Sequence, residues 1–179
     1  MQASRAPVFP VLVILMMAAT AAAETLLTEP QALQVAFPKA ASVDAETKSL
    51  TAAQREELQK KTGLRFPEPQ YRCFVARGRQ GVEGYAVIMN EVGKHEFITF
   101  IVAMNPKLEV SEVAVMEYRE SRGWEVKEQR FLRQFRGKKS GNPLEVNHDI
   151  VNYTGATLSS HAVARGVKKA LALAEAFYR

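Results

Sequence analysis

The sequence predicts an α+β domain, in which a small antiparallel sheet is covered by helices and followed by a long C-terminal helix. Three observations favour this class. Two Thr-x-x-Gln segments with helix-capping spacing come first, short apolar segments separated by turn residues fill the middle, and an apolar stripe at helical spacing closes the chain. The chain has 179 residues, of which 47% are hydrophobic, so one globular domain with a buried core is expected.

The first segment has the pattern of an export signal. Arg5 precedes an uncharged run over residues 8–23, which is apolar at its centre and ends in Ala21-Ala22-Ala23. This order is typical of a secretory signal peptide. We therefore expect cleavage after Ala23, with residues 24–179 forming an exported, periplasmic domain. The alternative is an uncleaved anchor, which would leave the same domain tethered to the membrane.

Two short helices and four strands follow in the predicted order. Thr28 with Gln31 and Thr51 with Gln54 predict the helix starts, and Pro38 and Gly63 predict the ends. The predicted strands form an antiparallel meander and cover residues 71–76, 84–90, 96–104 and 112–118. Residues 97–104 are apolar on both alternating faces, so this strand is expected to be central and covered on each side. The candidates for covering the second face are residues 128–136 and the closing helix, 160–178.

Cysteine and histidine counts exclude several kinds of chemistry. The single cysteine, Cys73, excludes an intramolecular disulfide and any multi-cysteine metal cage, and its apolar neighbours indicate a buried strand residue. The three histidines are not grouped with the aspartates in any spacing that offers three or four metal ligands. We therefore expect no protein-bound metal.

Residues 149–160 are the best candidate for a ligand site. A loop of small and hydroxyl residues enters a long helix there, and such an entrance presents unpaired amides that suit a phosphate. Gly155 and Ala156 let the backbone approach a ligand, and Thr157, Ser159 and Ser160 supply hydroxyl oxygens. The alternative is that Ser159 or Ser160 only caps the helix and the loop binds nothing.

The segment Thr154-Gly155-Ala156-Thr157-Leu158-Ser159-Ser160 resembles the flavinylation motif of the FMN-binding domain family. The family includes flavin-carrying subunits of the sodium-pumping NADH:quinone oxidoreductase and of the Rnf complex, as well as small exported proteins. The resemblance implies that the last threonine of the motif, here Thr157, bears FMN through a phosphoester bond. It also implies a flavin transferase that takes FMN from FAD outside the cytoplasm.

Earlier blocks extend the resemblance over most of the chain from residue 71 onward. They cover residues 91–94, 97–100, 118–123 and 131–135. The resemblance implies that the segment with Glu120, Ser121 and Gly123 lies against the flavin; composition alone favours a polar turn there. Lys94 and Thr99 are weaker candidates for contact with the isoalloxazine ring. Trp124 could pack near the cofactor or belong to the core.

One position departs from the family pattern. Many members carry an aspartate six residues before the flavin-bearing threonine, where this chain has Val151. Asp149 lies two residues earlier and Asn152 one residue later. Attachment could therefore be slow, could use Asp149, or could fail and leave FMN bound without a covalent bond.

A dense basic run contains Arg130, Arg133, Arg136, Lys138 and Lys139. It could steer an acidic redox partner, or it could be a solvated helix face. An exported chain without a recognised binding motif is not expected to bind nucleic acid. A hydrolase is not expected from Ser160 and His161, since helix neighbours do not face each other.

The sequence thus predicts an exported electron-transfer flavoprotein that carries FMN on Thr157 and is an electron carrier rather than a stand-alone enzyme. Its expected partners are the flavin transferase and a redox protein that could be membrane-bound. The alternatives are a binding module without redox turnover, a non-covalent FMN protein, and a flavin reductase with its own substrate. The last lacks a nicotinamide-binding glycine motif.

Overall fold

The computed structural model describes residues 24–179, and the predicted export segment 1–23 lies outside the described residues. Six strands form one sheet in the order β1-β6-β5-β4-β3-β2. The strands are β1 (Glu24–Thr25), β2 (Ser42–Lys48), β3 (Tyr71–Gly78), β4 (Gly81–Val92), β5 (Phe97–Met104) and β6 (Val110–Tyr118). The α-helices are α1 (Glu29–Ala36), α2 (Ala52–Thr62), α3 (Gln129–Leu132) and α4 (Thr157–Tyr178). The predicted α+β class, with an antiparallel sheet and a long last helix, is confirmed.

The four predicted strands are β3 to β6, and every neighbouring pair in the sheet is antiparallel. β5 lies between β4 and β6, as its two apolar faces predict. The prediction missed β1 and β2. The residues of β2 are mostly exposed or half-buried at the sheet edge, so its sequence lacks the apolar alternation that marks the central strands.

The predicted starts and ends of the first two helices are confirmed. At the second helix, Thr51 Oγ1 accepts from the amide of Gln54, and the Gln54 side chain accepts from the amide of Thr51. At the first helix, the Gln31 side chain accepts from both the amide and the hydroxyl of Thr28. The first helix ends at Ala36, shortly before Pro38. The second ends against Gly63, whose φ of 71° is left-handed.

The two faces of the sheet are covered by different helices. Helix α4 and the buried residues Phe131 and Phe135 all belong to the core on one face. The other face is covered by α1, whose Ala32 and Ala36 pack in a second core with Phe74 and Ile101. Residues 128–136 and 160–178, the predicted candidates, thus both cover one face. The covering of the other face by α1 was not predicted, because the short helix was not assigned a face.

Helix α4 is fixed to the sheet at its middle by a buried ion-pair group. Glu91 of β4 is 4% exposed and Lys169 of α4 is 7% exposed. The Glu91 carboxylate lies 2.6 Å from Lys169 Nζ and 2.6 Å from Arg165 Nε. Gly166 faces the sheet between them, where a Cβ atom would lie 2.4 Å from Phe100 Cζ. The close approach and the paired charges set the position of α4 along and around its axis.

The rest of the described chain adds three findings. Cys73 is buried, and burial raises the pKa of its thiol to about 12. Over residues 24–179, no helix is both long and apolar enough to cross a bilayer. The same residues contain no group of three His, Cys, Asp or Glu side chains arranged to hold a metal ion.

Candidate functional site: a pocket at the start of helix α4

The start of α4 opens into a pocket of about 470 Å³, a volume within the range of small-molecule sites. Three segments that are distant in the sequence meet there: the turn between β4 and β5, the segment after β6, and the loop that enters α4. The lining residues are Lys94, His95, Glu120, Ser121, Arg122, Gly155, Ala156, Thr157, Leu158 and Ser159.

The start of α4 carries no side-chain cap among the described residues. Ala156 is the N-cap residue, and its own amide donates to the carbonyl of Tyr153 in the preceding turn at 2.9 Å. Gly155 holds a φ of 89°, a left-handed conformation that brings the exposed backbone of the turn to the pocket. The first amides of a 22-residue helix therefore point toward the pocket with the positive end of the helix dipole. This geometry suits an anion such as a phosphate.

Thr157 is the first residue of α4, and its side chain is exposed at the pocket. Asn152 Nδ2 donates a hydrogen bond to Thr157 Oγ1 at 3.0 Å. The hydroxyl is therefore held in place at the surface and remains reachable. Thr154 lies in the exposed turn beside the pocket and is not among its lining residues.

Glu120 forms the opposite wall by fixing the turn between β4 and β5. Its Oε1 accepts hydrogen bonds from the amide of Lys94, from the amide of His95 at 2.6 Å and from the amide of Glu96 at 3.0 Å. Burial acts to raise the pKa of Glu120, but the three amides outweigh it and hold the pKa below its ordinary value. A Cβ at Gly93 would lie 2.8 Å from the same oxygen, so a side chain there would displace the Glu120 carboxylate from its amides.

Tyr118 joins this wall to the start of α4. Its hydroxyl donates to the carbonyl of Arg122 at 2.6 Å and lies 3.1 Å from Ser159 Oγ. Gly123 fills the space beside them with a φ of 82°; a Cβ there would lie 2.8 Å from Ser159 Oγ and 3.4 Å from the Cα of Ala156. Glycine at this position therefore allows the segment after β6 to pack directly against the helix start.

The pocket and its surroundings combine positive and apolar groups. Lys94 and Arg122 bring positive charge, which favours an anionic ligand. Leu158 is 51% exposed within the pocket, and Trp124, beside a pocket-lining segment, is 54% exposed. Exposed apolar side chains of this size next to a polar pocket are typical of a ligand surface rather than a core. Trp124 is thus not a core residue.

The predicted contact residue Thr99 is not brought to the pocket, and most of the basic run is paired within the fold. Thr99 lies on β5 between Ile98 and Phe100, both of which belong to the core on the α4 side, so its side chain lies on the other face. There it donates to Asn90 at 2.7 Å and accepts from Arg119 at 3.1 Å. The basic run is largely neutralised within the fold. Its pairs are Arg130 with Glu128, Arg136 with Glu112, and Lys138 with Asp149.

The structure also shows the contacts of Val151, which stands where many family members have an aspartate, and of the polar residues near it. Val151 is 67% exposed. The carboxylate of Asp149 lies 2.8 Å from Lys138 Nζ and accepts from the amide of Glu145 at 2.8 Å, so it is engaged within its own loop. Asn152 is the residue of this group that contacts Thr157.

The roles of His95, Tyr118 and Asn152 could not be predicted from the sequence alone. Tyr118 ends a strand and reads as a core residue, and nothing in the sequence indicates that its hydroxyl reaches α4. His95 lies in a turn whose position depends on Glu120. Asn152 was noted as a neighbour of the departing position, and its spacing of five residues from Thr157 was the available signal.

Comparisons with known proteins agree with this site. Residues 93–172 match the model of the FMN-binding domain family, and this range contains all three pocket segments. Among solved structures, the chain is similar to the crystal structure of NqrC from Shewanella oneidensis, with a TM-score of 0.51 and 15% sequence identity. The similarity covers 76% of this chain and 80% of that chain. A comparison with curated protein sequences finds no match.

Residues 93–172, which carry all three segments of the pocket, are thus similar to an FMN-binding domain. The uncapped start of α4 and the positive groups around it fit the phosphate of FMN, and the exposed apolar side chains fit its ring. The NqrC-like fold of the chain agrees with this similarity.

Proposed function

We propose that this protein is an exported electron carrier whose FMN is linked by a phosphoester to Thr157. The observation that carries the proposal is an exposed hydroxyl on the first residue of an uncapped helix, inside a pocket of the FMN-binding domain. A phosphate esterified to this hydroxyl would lie beside the free amides of the helix start. The link and the helix dipole would then act on the same group.

The chain's own residues bind and orient the cofactor in this proposal. Bound FMN supplies the redox chemistry. The amides at the start of α4 hold the phosphate, Glu120 fixes the turn that carries Lys94 and His95, and Gly123 allows the second wall to close on the helix. No side chain is required as an acid or base, because electron transfer needs only a held cofactor and an approachable ring.

Export and the partners are part of the same proposal. The signal pattern of residues 1–23 supports export, and a covalent link would keep the cofactor on a protein outside the cytoplasm, where released FMN is lost by diffusion. Maturation would need a flavin transferase that works in that compartment. The electron partner is a separate redox protein, and a membrane-bound one would suit a periplasmic carrier.

The test is to produce the chain with and without a periplasmic flavin transferase, denature it, and measure flavin fluorescence and the mass of the peptide that contains Thr157. We expect covalent FMN only with the transferase, and none in Thr157→Val, which keeps the shape but loses the acceptor oxygen. Thr154→Val is the matched control in the same motif and should retain the flavin. Covalent flavin on Thr157→Val would place the bond elsewhere.

A second candidate is FMN bound without a covalent bond, which the Val151 departure favours. In that case the native chain would be yellow, the flavin would be released on denaturation, and Thr157→Val would bind FMN like the wild type. A colourless native chain, with and without the transferase, would contradict both candidates.

A further inference from the structure

We propose that Asn152 is the positioning residue for flavin transfer to Thr157, and this inference rests on the proposed covalent attachment. The starting observation is the hydrogen bond from Asn152 Nδ2 to Thr157 Oγ1 at 3.0 Å. In the part of the chain that the structure describes, Asn152 Oδ1 is buried without a hydrogen-bond partner. The carboxamide is therefore directed at Thr157 by its amino group and not held by a contact of its oxygen.

The backbone next to Asn152 is fixed on its N-terminal side. Gln134 Oε1 accepts from the amide of Val151 at 2.7 Å, and Gln134 Nε2 donates to the Val151 carbonyl at 3.4 Å. Two residues earlier, Asp149 is held by Lys138 and by the amide of Glu145. These contacts place Asn152 at a defined position relative to α4. Asp149 cannot serve in its place without leaving its own partners.

The direction of the hydrogen bond matters for the reaction. Asn152 donates, so it occupies one lone pair of Oγ1 and fixes the side-chain rotamer of Thr157, while the hydroxyl proton and the other lone pair remain on the exposed side. In the transfer, Oγ1 forms a bond to the phosphorus of the FMN half of FAD. The phosphoanhydride bond breaks, AMP leaves with its electron pair, and the hydroxyl proton passes to a base of the transferase.

An amide donor suits both states of Thr157. Before transfer Oγ1 belongs to a hydroxyl, and afterwards it is an ester oxygen that has no proton and can only accept. A carboxylate at residue 152 could accept from the hydroxyl but would face the oxygen of the ester and the negative charge of its phosphate. The chain thus holds its acceptor with a neutral donor one residue beyond the position of the family's aspartate.

The experiment measures flavin transfer with the full exported chain as acceptor substrate, a periplasmic flavin transferase and FAD. Asn152→Ala removes the contact, and Asn152→Asp keeps the shape but loses the amino donor. Val151→Ala is the matched control, since Val151 is exposed and Gln134 contacts only its backbone. We expect both Asn152 variants to lose about tenfold in kcat, as expected for a misplaced reacting group, with KM for the acceptor chain unchanged. Val151→Ala should equal the wild type.

The outcomes separate the inference from the proposed function. Wild-type kcat in Asn152→Asp would show that shape and not the donor matters, and would overturn the inference. A raised KM with unchanged kcat would assign Asn152 to transferase docking and would overturn it as well. If Asn152→Ala fails to fold by thermal unfolding, Asn152→Asp carries the test. A wild-type chain that takes no covalent flavin defeats the proposed attachment itself.

Discussion

The starts of helices α2 and α4 solve the same physical problem in opposite ways. At α2, Thr51 Oγ1 accepts from the amide of Gln54 at 3.2 Å, and Gln54 Oε1 accepts from the amide of Thr51 at 3.0 Å. At α4 the N-cap residue is Ala156, which has no side-chain acceptor, and no described side chain replaces it. The short helix satisfies its own free amides, whereas the 22-residue helix leaves them for a partner.

The difference indicates where a ligand is needed. A missing cap costs on the order of 1 kcal/mol, which is small for one long, buried helix. What distinguishes α4 from α2 is that its uncapped start opens into the pocket with Thr157. Gly123 is small for a related reason, since a Cβ there would lie 2.8 Å from Ser159 Oγ in the first turn of α4. The absence of a cap is therefore as informative as its presence.

The largest effect is expected for Glu120, which fixes the pocket wall opposite α4. Glu120→Gln removes a carboxylate that accepts three backbone amides, and should lower the free energy of unfolding at pH 7 by about 2 kcal/mol. The folded pKa of Glu120 is lowered from 4.5, so its stabilisation is present above that value and is lost as the pH falls through the lowered folded pKa. Urea unfolding between pH 3 and 7 measures both effects.

The sign of the pH effect provides the internal control. The wild type should lose stability relative to Glu120→Gln as the solution becomes acidic, until the two converge. A constant difference between them over the whole pH range would contradict this assignment of the carboxylate.

The next largest effect is expected from a substitution that gives α4 a side-chain cap like that of α2. Ala156→Asp places a carboxylate at the N-cap, where it competes with a phosphate for the helix amides and repels it. Non-covalent FMN binding to the Thr157→Val chain should weaken about tenfold, or about 1.4 kcal/mol. Ala156→Asn offers the same shape without the charge and should weaken binding less. Flavin fluorescence titration compares them, and equal affinities in all three chains would place the phosphate elsewhere.

The smallest effect is expected when the cap is removed from helix α2. Thr51→Ala should lower the free energy of unfolding by about 1 kcal/mol, as loss of an N-cap hydroxyl generally does, and should leave FMN affinity unchanged. Thr51→Ser keeps the acceptor oxygen and is the control. Urea unfolding measures the loss of stability, and flavin fluorescence titration measures the FMN affinity. A change in flavin affinity would mean that the two helix starts are coupled.

Local signals made much of the fold predictable. The capping pairs, Gly63 and the apolar run of β5 each act through neighbours in the sequence, and each prediction from them is confirmed. β2 was missed because an edge strand is half-exposed and its pairing partner, not its own pattern, makes it a strand. The covering of the second face by α1 was missed because eight residues carry too weak a stripe to indicate which surface they meet.

The site was predictable from the motif but not from the contacts that shape it. The loop around Thr157 and the segment around Glu120 were recognised in the sequence, and both line the pocket. That Glu120 is used to hold a turn 24 to 26 residues away depends on the sheet register, which no local pattern encodes. The predicted contact of Thr99 with the flavin was wrong for a related reason. The sequence does not show which face of the sheet a strand residue lies on, and Thr99 lies on the face away from α4.

The buried charges of Glu91, Arg165 and Lys169 have a consequence for how the preceding loop can evolve. Because these charges fix α4 about two and three turns beyond its first residue, the location of Thr157 is set by the helix and not by the chain that leads into it. Insertions at the exposed residues Asn147 and His148 can then be absorbed at the surface without displacing the acceptor. A lineage can lengthen that stretch, or shift its acidic residue by two positions, and still present the same hydroxyl at the same place.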